Sequence, residues 1–334
     1  MSKVARQMPN LRSLILPLAI MAGIAGYFGY VAIPALDNTH RAVLEAVSVA
    51  QPLLIFAMLF ITFCRVKLRE LRPAKWHWPT LLMQVGVFVA GAAVINLCSS
   101  LNVAGAAFND IAESFLICMI CPTATAAAVV TYKLGGNTAT LTAYTILINL
   151  AVSLVVPLTV PLLHTAVHID APAVFPSAPF LNYSLYIIIK VFPLLIGPLV
   201  LAVVARKLCP RFTSMVAAVP DLAFYLWAIS LMLAIAVSVK ALVHSRASLF
   251  LIVGIAVASA IACTLQFAFG RMVGRRYNDP VSAAQACGQK NTVLAIWLGY
   301  SFFSPVTAIA GGFYSIWHNV YNSWQLARRK NEDN

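Results

Sequence analysis

The chain has 334 residues, of which 61% are hydrophobic and only 10% charged. Soluble domains carry about a quarter charged residues, so a soluble globular protein is excluded and a polytopic membrane protein is expected. The net charge of +13 would suit nucleic acid, but the basic residues sit in short loops between apolar runs, so the expected partner is the lipid bilayer and not nucleic acid.

The chain starts with Lys3, Arg6 and Arg12 ahead of an apolar run. That run, Leu14 to Leu36, exceeds a signal-peptide core and leads directly into further apolar segments, so it reads as a retained first span. About 20 apolar residues cross a bilayer. Ten stretches qualify: 13–35, 46–65, 78–98, 112–132, 138–163, 181–206, 215–239, 247–271, 280–303 and 305–327. The longest polar connection, His164 to Pro179, divides them into two sets of five. The organisation expected is therefore a first five-span unit over 1–164, an extracytoplasmic connection over 165–180, and a second unit over 181–334.

Eighteen of the 23 Lys and Arg residues fall on one side of these spans. Three, Arg41, Lys240 and Arg246, fall on the other, and Lys190 and Lys290 lie within spans. The positive-inside rule then places both termini in the cytoplasm of a bacterial inner (cell) membrane protein. Five spans per unit is an odd number, so the second unit is inverted relative to the first, as in inverted-repeat transporters. Of the seven cysteines, Cys118 and Cys121 are spaced as CxxC but lack nearby His or Cys partners, so no metal site or other cofactor is expected.

Two spans are interrupted. The fourth carries Cys121-Pro122-Thr123-Ala124-Thr125, where Pro122 removes a backbone donor. The ninth carries Cys287-Gly288-Gln289-Lys290-Asn291-Thr292, which sets an ammonium at mid-span. A charge there costs roughly 2.5–3.5 kcal/mol even on forgiving scales. Each break is the fourth span of its unit, which points to a substrate site built from broken helices at mid-membrane. Thr123 or Thr125 can cap the half-helix after the first break, and Asn291 or Thr292 the one after the second. Two such N-termini, with the charge of Lys290, would favour an anion.

Other polar residues within spans are read in the same way. His318 and Asn319 of the tenth span are expensive in lipid and should face the interior. Lys190 reads as a snorkelling residue, and Asp221 equally as a helix-end residue or a proton site. Trp76, Trp78 and Trp324 read as interfacial anchors. The spans hold one His near the breaks and one clearly embedded acid, too little for a membrane enzyme. No GxxxxGK[ST] motif suggests ATP-driven transport. The chain also carries no evident extra domain for a non-transporting receptor or scaffold, the other alternative.

The segments CPTATAAAVVTYKLGGNTATLTAYT (121–145), CGQKNTVLA (287–295) and SIWHN (315–319) resemble the bile acid:sodium symporter family, within the group that includes arsenite and auxin carriers. The resemblance covers most of the chain. It implies an all-α fold of ten transmembrane helices in two inverted five-helix repeats, the fourth and ninth broken and crossing. It also implies a core domain of spans 3–5 and 8–10 and a panel domain of spans 1, 2, 6 and 7, with substrate between them. The substrate-facing positions it implies are Thr125, Asn291, His318 and Asn319, with Thr123 beside them.

At the family's sodium sites the chain departs from the pattern. Ala127 and Ala128 stand where relatives carry Ser-Asn, Leu141 stands at a Ser position, and Ala286 replaces a ligating Glu. Lys290 replaces a Gln. Gln84 and Thr145 are retained, and Gln289 adjoins the same positions. Sodium coupling is therefore doubtful. The function expected is secondary transport of an organic anion, such as a bile acid or a pantoate-like carboxylate, by alternating access without a sodium requirement. A sodium-coupled symporter with shifted ion sites is the alternative. An ammonium that sheds its proton during the cycle would give proton coupling; one that keeps it would give an exchanger or uniporter. The particular anion and the oligomeric state are left open.

Overall fold

The computed structural model describes residues 11–34, 39–66, 71, 73–163, 175, 178–219, 222–245 and 247–332. Pro220, Asp221, Arg246 and nearly all of the 165–180 connection lie outside these residues, as do Lys3 and Arg6. Among the described residues the structure is all helical, with one isolated β-bridge. The helices are α1 (Leu11–Val31), α2 (His40–Arg65), α3 (His77–Ser100), α4 (Ala106–Ile120), α5 (Ala127–Lys133), α6 (Thr138–Thr159) and α7 (Pro179–Leu208). They continue as α8 (Pro210–Ala218), α9 (Leu222–Ser245), α10 (Leu249–Arg276), α11 (Pro280–Gly288), α12 (Thr292–Phe302) and α13 (Ala308–Glu332).

Among the described residues six helices are long and apolar enough to cross a membrane: α2, α3, α6, α7, α9 and α10. The protein is thus an all-α, membrane-embedded protein. The fourth and ninth apolar stretches are each split, into α4 with α5 and α11 with α12. No half reaches the ~20 residues of a full crossing. Helix α13 has the length but is too polar along its surface to qualify on hydropathy.

Two boundaries differ from the sequence expectation for local reasons. The stretch expected at 215–239 holds a separate short helix, α8, opened by Pro210 in its first turn, and the long helix is Leu222–Ser245. Proline suits that first turn because its missing N–H has no partner there anyway. Helix α2 begins at His40, not at 46, because its first turn is polar and escapes a hydropathy window.

The helices fall into two packed groups. In one, α1 packs on α9 while α2 packs on α7 and α9. In the other, α10 packs on α4, α11 and α13, α3 packs on α4 and α6, and α12 packs on α13. The groups are joined by α6 and α7, which pack as closely as α2 and α7 do, and by lesser contacts of α9 with α12 and α13. The contact of α10 with α11 is the most intimate. A Cβ on Gly270 would lie 2.4 Å from the Ala283 carbonyl oxygen, and one on Gly274 would lie 2.5 Å from that of Asp279. Small residues four apart let membrane helices approach to backbone distance. This close seat holds α11, and with it the second break, in place.

Candidate functional site

The two breaks meet. Thr123 and Lys290 form an antiparallel bridge. Ala124 N–H donates to the Gln289 carbonyl at 2.8 Å, and Asn291 N–H donates to the Pro122 carbonyl at 2.9 Å. Each break thus supplies one donor and one acceptor to the other.

Breaking two helices inside a bundle strands carbonyls that water cannot reach, and each needs a partner. Cys118 would normally bond the N–H four residues on, but that residue is Pro122. Its carbonyl instead accepts from Gln266 Nε2 at 3.1 Å. The Met119 carbonyl accepts from Lys290 Nζ at 3.2 Å. In the second break the Ala286 carbonyl accepts from Thr123 Oγ1 at 2.7 Å. The Cys287 carbonyl accepts from Gln84 Nε2 at 3.3 Å, and the Gly288 carbonyl accepts from the Tyr314 hydroxyl at 2.8 Å. The Asn291 carbonyl takes the Ala295 N–H at 3.0 Å and the Cys121 thiol at 2.9 Å.

The donors form one network. Gln84 Nε2 also donates to Gln266 Oε1 at 2.8 Å, and the Tyr144 hydroxyl donates to Gln84 Oε1 at 2.5 Å. Gln266 Nε2 reaches the Tyr314 hydroxyl at 3.0 Å. Side chains of α3, α6, α10 and α13 therefore tie both breaks into one buried polar knot.

Lys290 lies inside this knot, 1% exposed. Its ammonium faces the C-terminal end of α4, where exposed carbonyls favour a cation. Around it lie the buried side chains of Cys287, Cys121, Cys118 and Cys263. Among the described residues it forms no ion pair. The expectation that Lys290 adds charge to an open anion site is corrected here: its ammonium is enclosed and spent on a break carbonyl. The retained polar side chains of the ion positions are engaged elsewhere. Gln84 serves Cys287, and Thr145 Oγ1 donates to the Leu141 carbonyl of its own helix at 3.0 Å.

The capping expectations divide. Asn291 caps α12, its Oδ1 accepting from Leu294 N–H at 3.2 Å. Neither threonine caps α5, whose N-cap is Ala126 without a side-chain bond. Thr123 is drawn across to Ala286 instead, a stronger claim on its hydroxyl because that carbonyl is buried. Thr125 is half-buried and its side chain makes no hydrogen bond among the described residues.

His318 is buried on α13, its ring edge-on to Tyr314 at 5.7 Å, and its Nδ1 has no partner. Asn319 is half-buried, with Nδ2 donating to the Ser315 carbonyl at 2.6 Å. Gln289 is buried with Oε1 unpartnered. Buried polar atoms in folded proteins almost always find a partner; among the described residues Gln289 Oε1 and His318 Nδ1 have none, as is also true of atoms away from the breaks such as Asn149 Oδ1 and Ser230 Oγ.

At the positions aligned with ion ligands, Ala127, Leu141 and Ala286 are buried and Ala128 half-buried. None of the four carries a side-chain oxygen. The oxygens of Gln84 and Thr145 are bonded within the knot or the helix. A sodium ion needs several free hard oxygens, and these residues do not supply them.

Two clefts open at opposite ends of the bundle, and neither includes Thr125, Asn291, His318 or Asn319. The first, about 660 Å³, lies between the two helix groups. Leu44, Val47 and Ser48 of α2 and Val237, Lys240 and His244 of α9 form one wall. Asp110 of α4, Tyr300 of α12 and Ser304 to Val306 form the other. Behind it the Tyr300 hydroxyl donates to Gln51 Oε1 at 2.5 Å and so joins the groups. The second cleft opens at the end rich in arginine and lysine, where it is lined by Lys75, Arg276 and Arg329.

The sequence reading missed the glutamines and tyrosines of the knot. It also missed a second buried cluster, where Gln285 Nε2 donates to Asn322 Oδ1 at 2.9 Å and Gln325 Oε1 at 2.8 Å. The available signal was uncharged polar residues inside apolar helices. Trp76 is corrected as well. It is 1% exposed and its Nε1–H donates to Asp279 Oδ2 at 3.0 Å, whereas Trp78 and Trp324 are exposed as anchors should be. Lys190 is exposed, its Nζ on the Tyr186 hydroxyl at 2.6 Å. No family model matches the chain, and no curated protein matches it.

Proposed function

We propose that the chain is a secondary transporter of an organic anion, working by alternating access between its two helix groups. The single observation that carries this is the pairing of two broken helices around a fully buried lysine that is held by a carbonyl of the opposite break. A structural bundle has no need of two interrupted helices, and interrupted helices meeting at mid-bundle are how transporters build substrate sites. The cleft between the groups supports the same reading. Its walls are mostly apolar and it holds Lys240 and His244 one helical turn apart on α9, which suits an apolar body with one anionic group.

The sequence resemblance to bile acid:sodium symporters belongs to this reading. On it, the chain is ten spans in two inverted five-helix repeats over 1–164 and 181–334, with both termini cytoplasmic. The packing supports the repeat. Exchanging first with sixth and second with seventh spans turns the contact of α1 with α9 into that of α7 with α2, and both are present. The group of α1, α2, α7 and α9 corresponds to the panel, and the remaining long helices to the core. Thr125, Gln289, His318 and Asn319 are the positions proposed to meet substrate as the groups rock.

On this reading transport does not require sodium. Lys290 bridges the breaks as a tethered cation, and Ala127, Ala128, Leu141 and Ala286 bring no side-chain oxygen to the ion positions, which leaves Gln289 Oε1 as the unpartnered one beside them. Uptake of labelled anions, taurocholate and pantoate first, into proteoliposomes with sodium replaced by choline tests the proposal. Uptake undiminished in choline supports it, and uptake only with sodium overturns it.

A further inference from the structure

We propose that the cleft at the arginine-rich end of the bundle binds the headgroup of an anionic phospholipid. Two turns shape it: Leu134–Asn137 between α5 and α6, and Arg276–Pro280 between α10 and α11. Residues 74–76 ahead of α3 and Arg329 of α13 complete it, enclosing about 770 Å³. The turns hold their shape through left-handed residues, Gly135 at φ 73° and Asn278 at φ 58°.

The charges facing the cleft are Lys75, Arg276 and Arg329 against Asp279. The acid is turned to structural use: its Oδ2 accepts from Trp76 Nε1 at 3.0 Å and from Thr140 Oγ1 at 2.7 Å. Arg329 donates to the Leu134 carbonyl. Lys75 and Arg276 are exposed and, among the described residues, make no hydrogen bond or ion pair. Two unengaged cations over a polar hollow call for a phosphate.

The surroundings decide between a soluble phosphate and a lipid. Tyr277 in the cleft wall is 41% exposed, and Trp78 and Tyr132 beside it are 58% and 76% exposed. Exposed Trp and Tyr mark headgroup depth on a membrane protein. From Trp78 an exposed stripe runs along α3 through Leu82 to Val89, at helical spacing, as a track for an acyl chain. Basic pockets between transmembrane helices on the positive side are the setting in which anionic headgroups bind. The proposal needs only membrane embedding and stands apart from the transport reading.

The test is native mass spectrometry of the purified full chain titrated with phosphatidylglycerol and with phosphatidylcholine. Lys75→Gln/Arg276→Gln is compared with wild type and with Arg41→Gln at the opposite end, an exposed arginine outside both clefts. Both cleft side chains are exposed and unbonded, so the variant should fold, and its thermal midpoint in phosphatidylcholine nanodiscs checks this. Wild type and Arg41→Gln are expected to retain phosphatidylglycerol preferentially, and the double variant to lose that preference by roughly tenfold. Equal retention by the double variant would overturn the proposal. So would displacement of the lipid by inorganic phosphate at equal concentration, which would reassign the cleft to soluble anions.

Discussion

Thr123 and Lys290 face each other across the bridge that joins the two breaks, and each sends its side chain into the opposite helix stump. The Thr123 hydroxyl closes the Ala286 carbonyl, and the Lys290 ammonium closes that of Met119. The two side chains are therefore reciprocal plugs for carbonyls that the breaks expose.

Removing one plug strands a buried carbonyl. Thr123→Val keeps the shape but deletes the donor to Ala286, at a cost of about 1–3 kcal/mol. Thr123→Ser restores the donor and should recover most of the loss. Thermal unfolding in nanodiscs reads both. An unchanged midpoint for Thr123→Val would show that the bridge does not depend on the hydroxyl.

The glutamine pair should act as a unit. Gln84→Leu and Gln266→Leu each leave several partners unbonded, and a double-mutant cycle should show coupling of about 0.5–3 kcal/mol. Additive losses would mean that the 2.8 Å contact between them carries no energy of its own.

The seat of α11 should not tolerate added volume. Gly270→Ala places a Cβ 2.4 Å from a backbone oxygen, which cannot yield as a side chain can. A loss of about 1–3 kcal/mol or more is expected. Gly86→Ala, which has nothing within 4 Å, should be neutral. The comparison is made by yield of folded protein and by unfolding midpoint.

The proposed topology can be checked by labelling. Cysteines at position 75 and at position 244, which lie in opposite clefts, should react from opposite faces of the membrane. The exposed Cys209 is removed first. Labelling from one face would contradict the inverted arrangement.

The elements that break a pattern were the legible ones. Pro122 and the Gly288–Asn291 run announce the interruptions because proline, glycine and a charge are each anomalous in an apolar helix. The pairing partner of each break was not legible, since nothing local in 121–125 specifies Gln289 or Asn291. The direction of Lys290 was likewise hidden. Its partner is a carbonyl 171 positions away, and backbone acceptors carry no sequence signature. Gln84, Tyr144, Gln266 and Tyr314 are ordinary residues individually, and only packing shows that they converge on the carbonyls the breaks release.

The substrate cleft yields a separate expectation. Lys240 lines it, and its ammonium makes no hydrogen bond or ion pair among the described residues. Lys240→Gln should raise KM for an anion several-fold with little change in kcat, as loss of a contact made equally in ground and transition states does. A fall in kcat at constant KM would place Lys240 in the moving machinery instead.

The most direct measurement of the central claim is anion uptake into proteoliposomes in sodium and in choline, for wild type and for Lys290→Gln. Wild-type uptake should be the same in both salts, because the tethered ammonium already bridges the breaks. Lys290→Gln should lose most uptake in either salt. Wild-type uptake that collapses in choline, or Lys290→Gln uptake equal to wild type without sodium, would contradict the account.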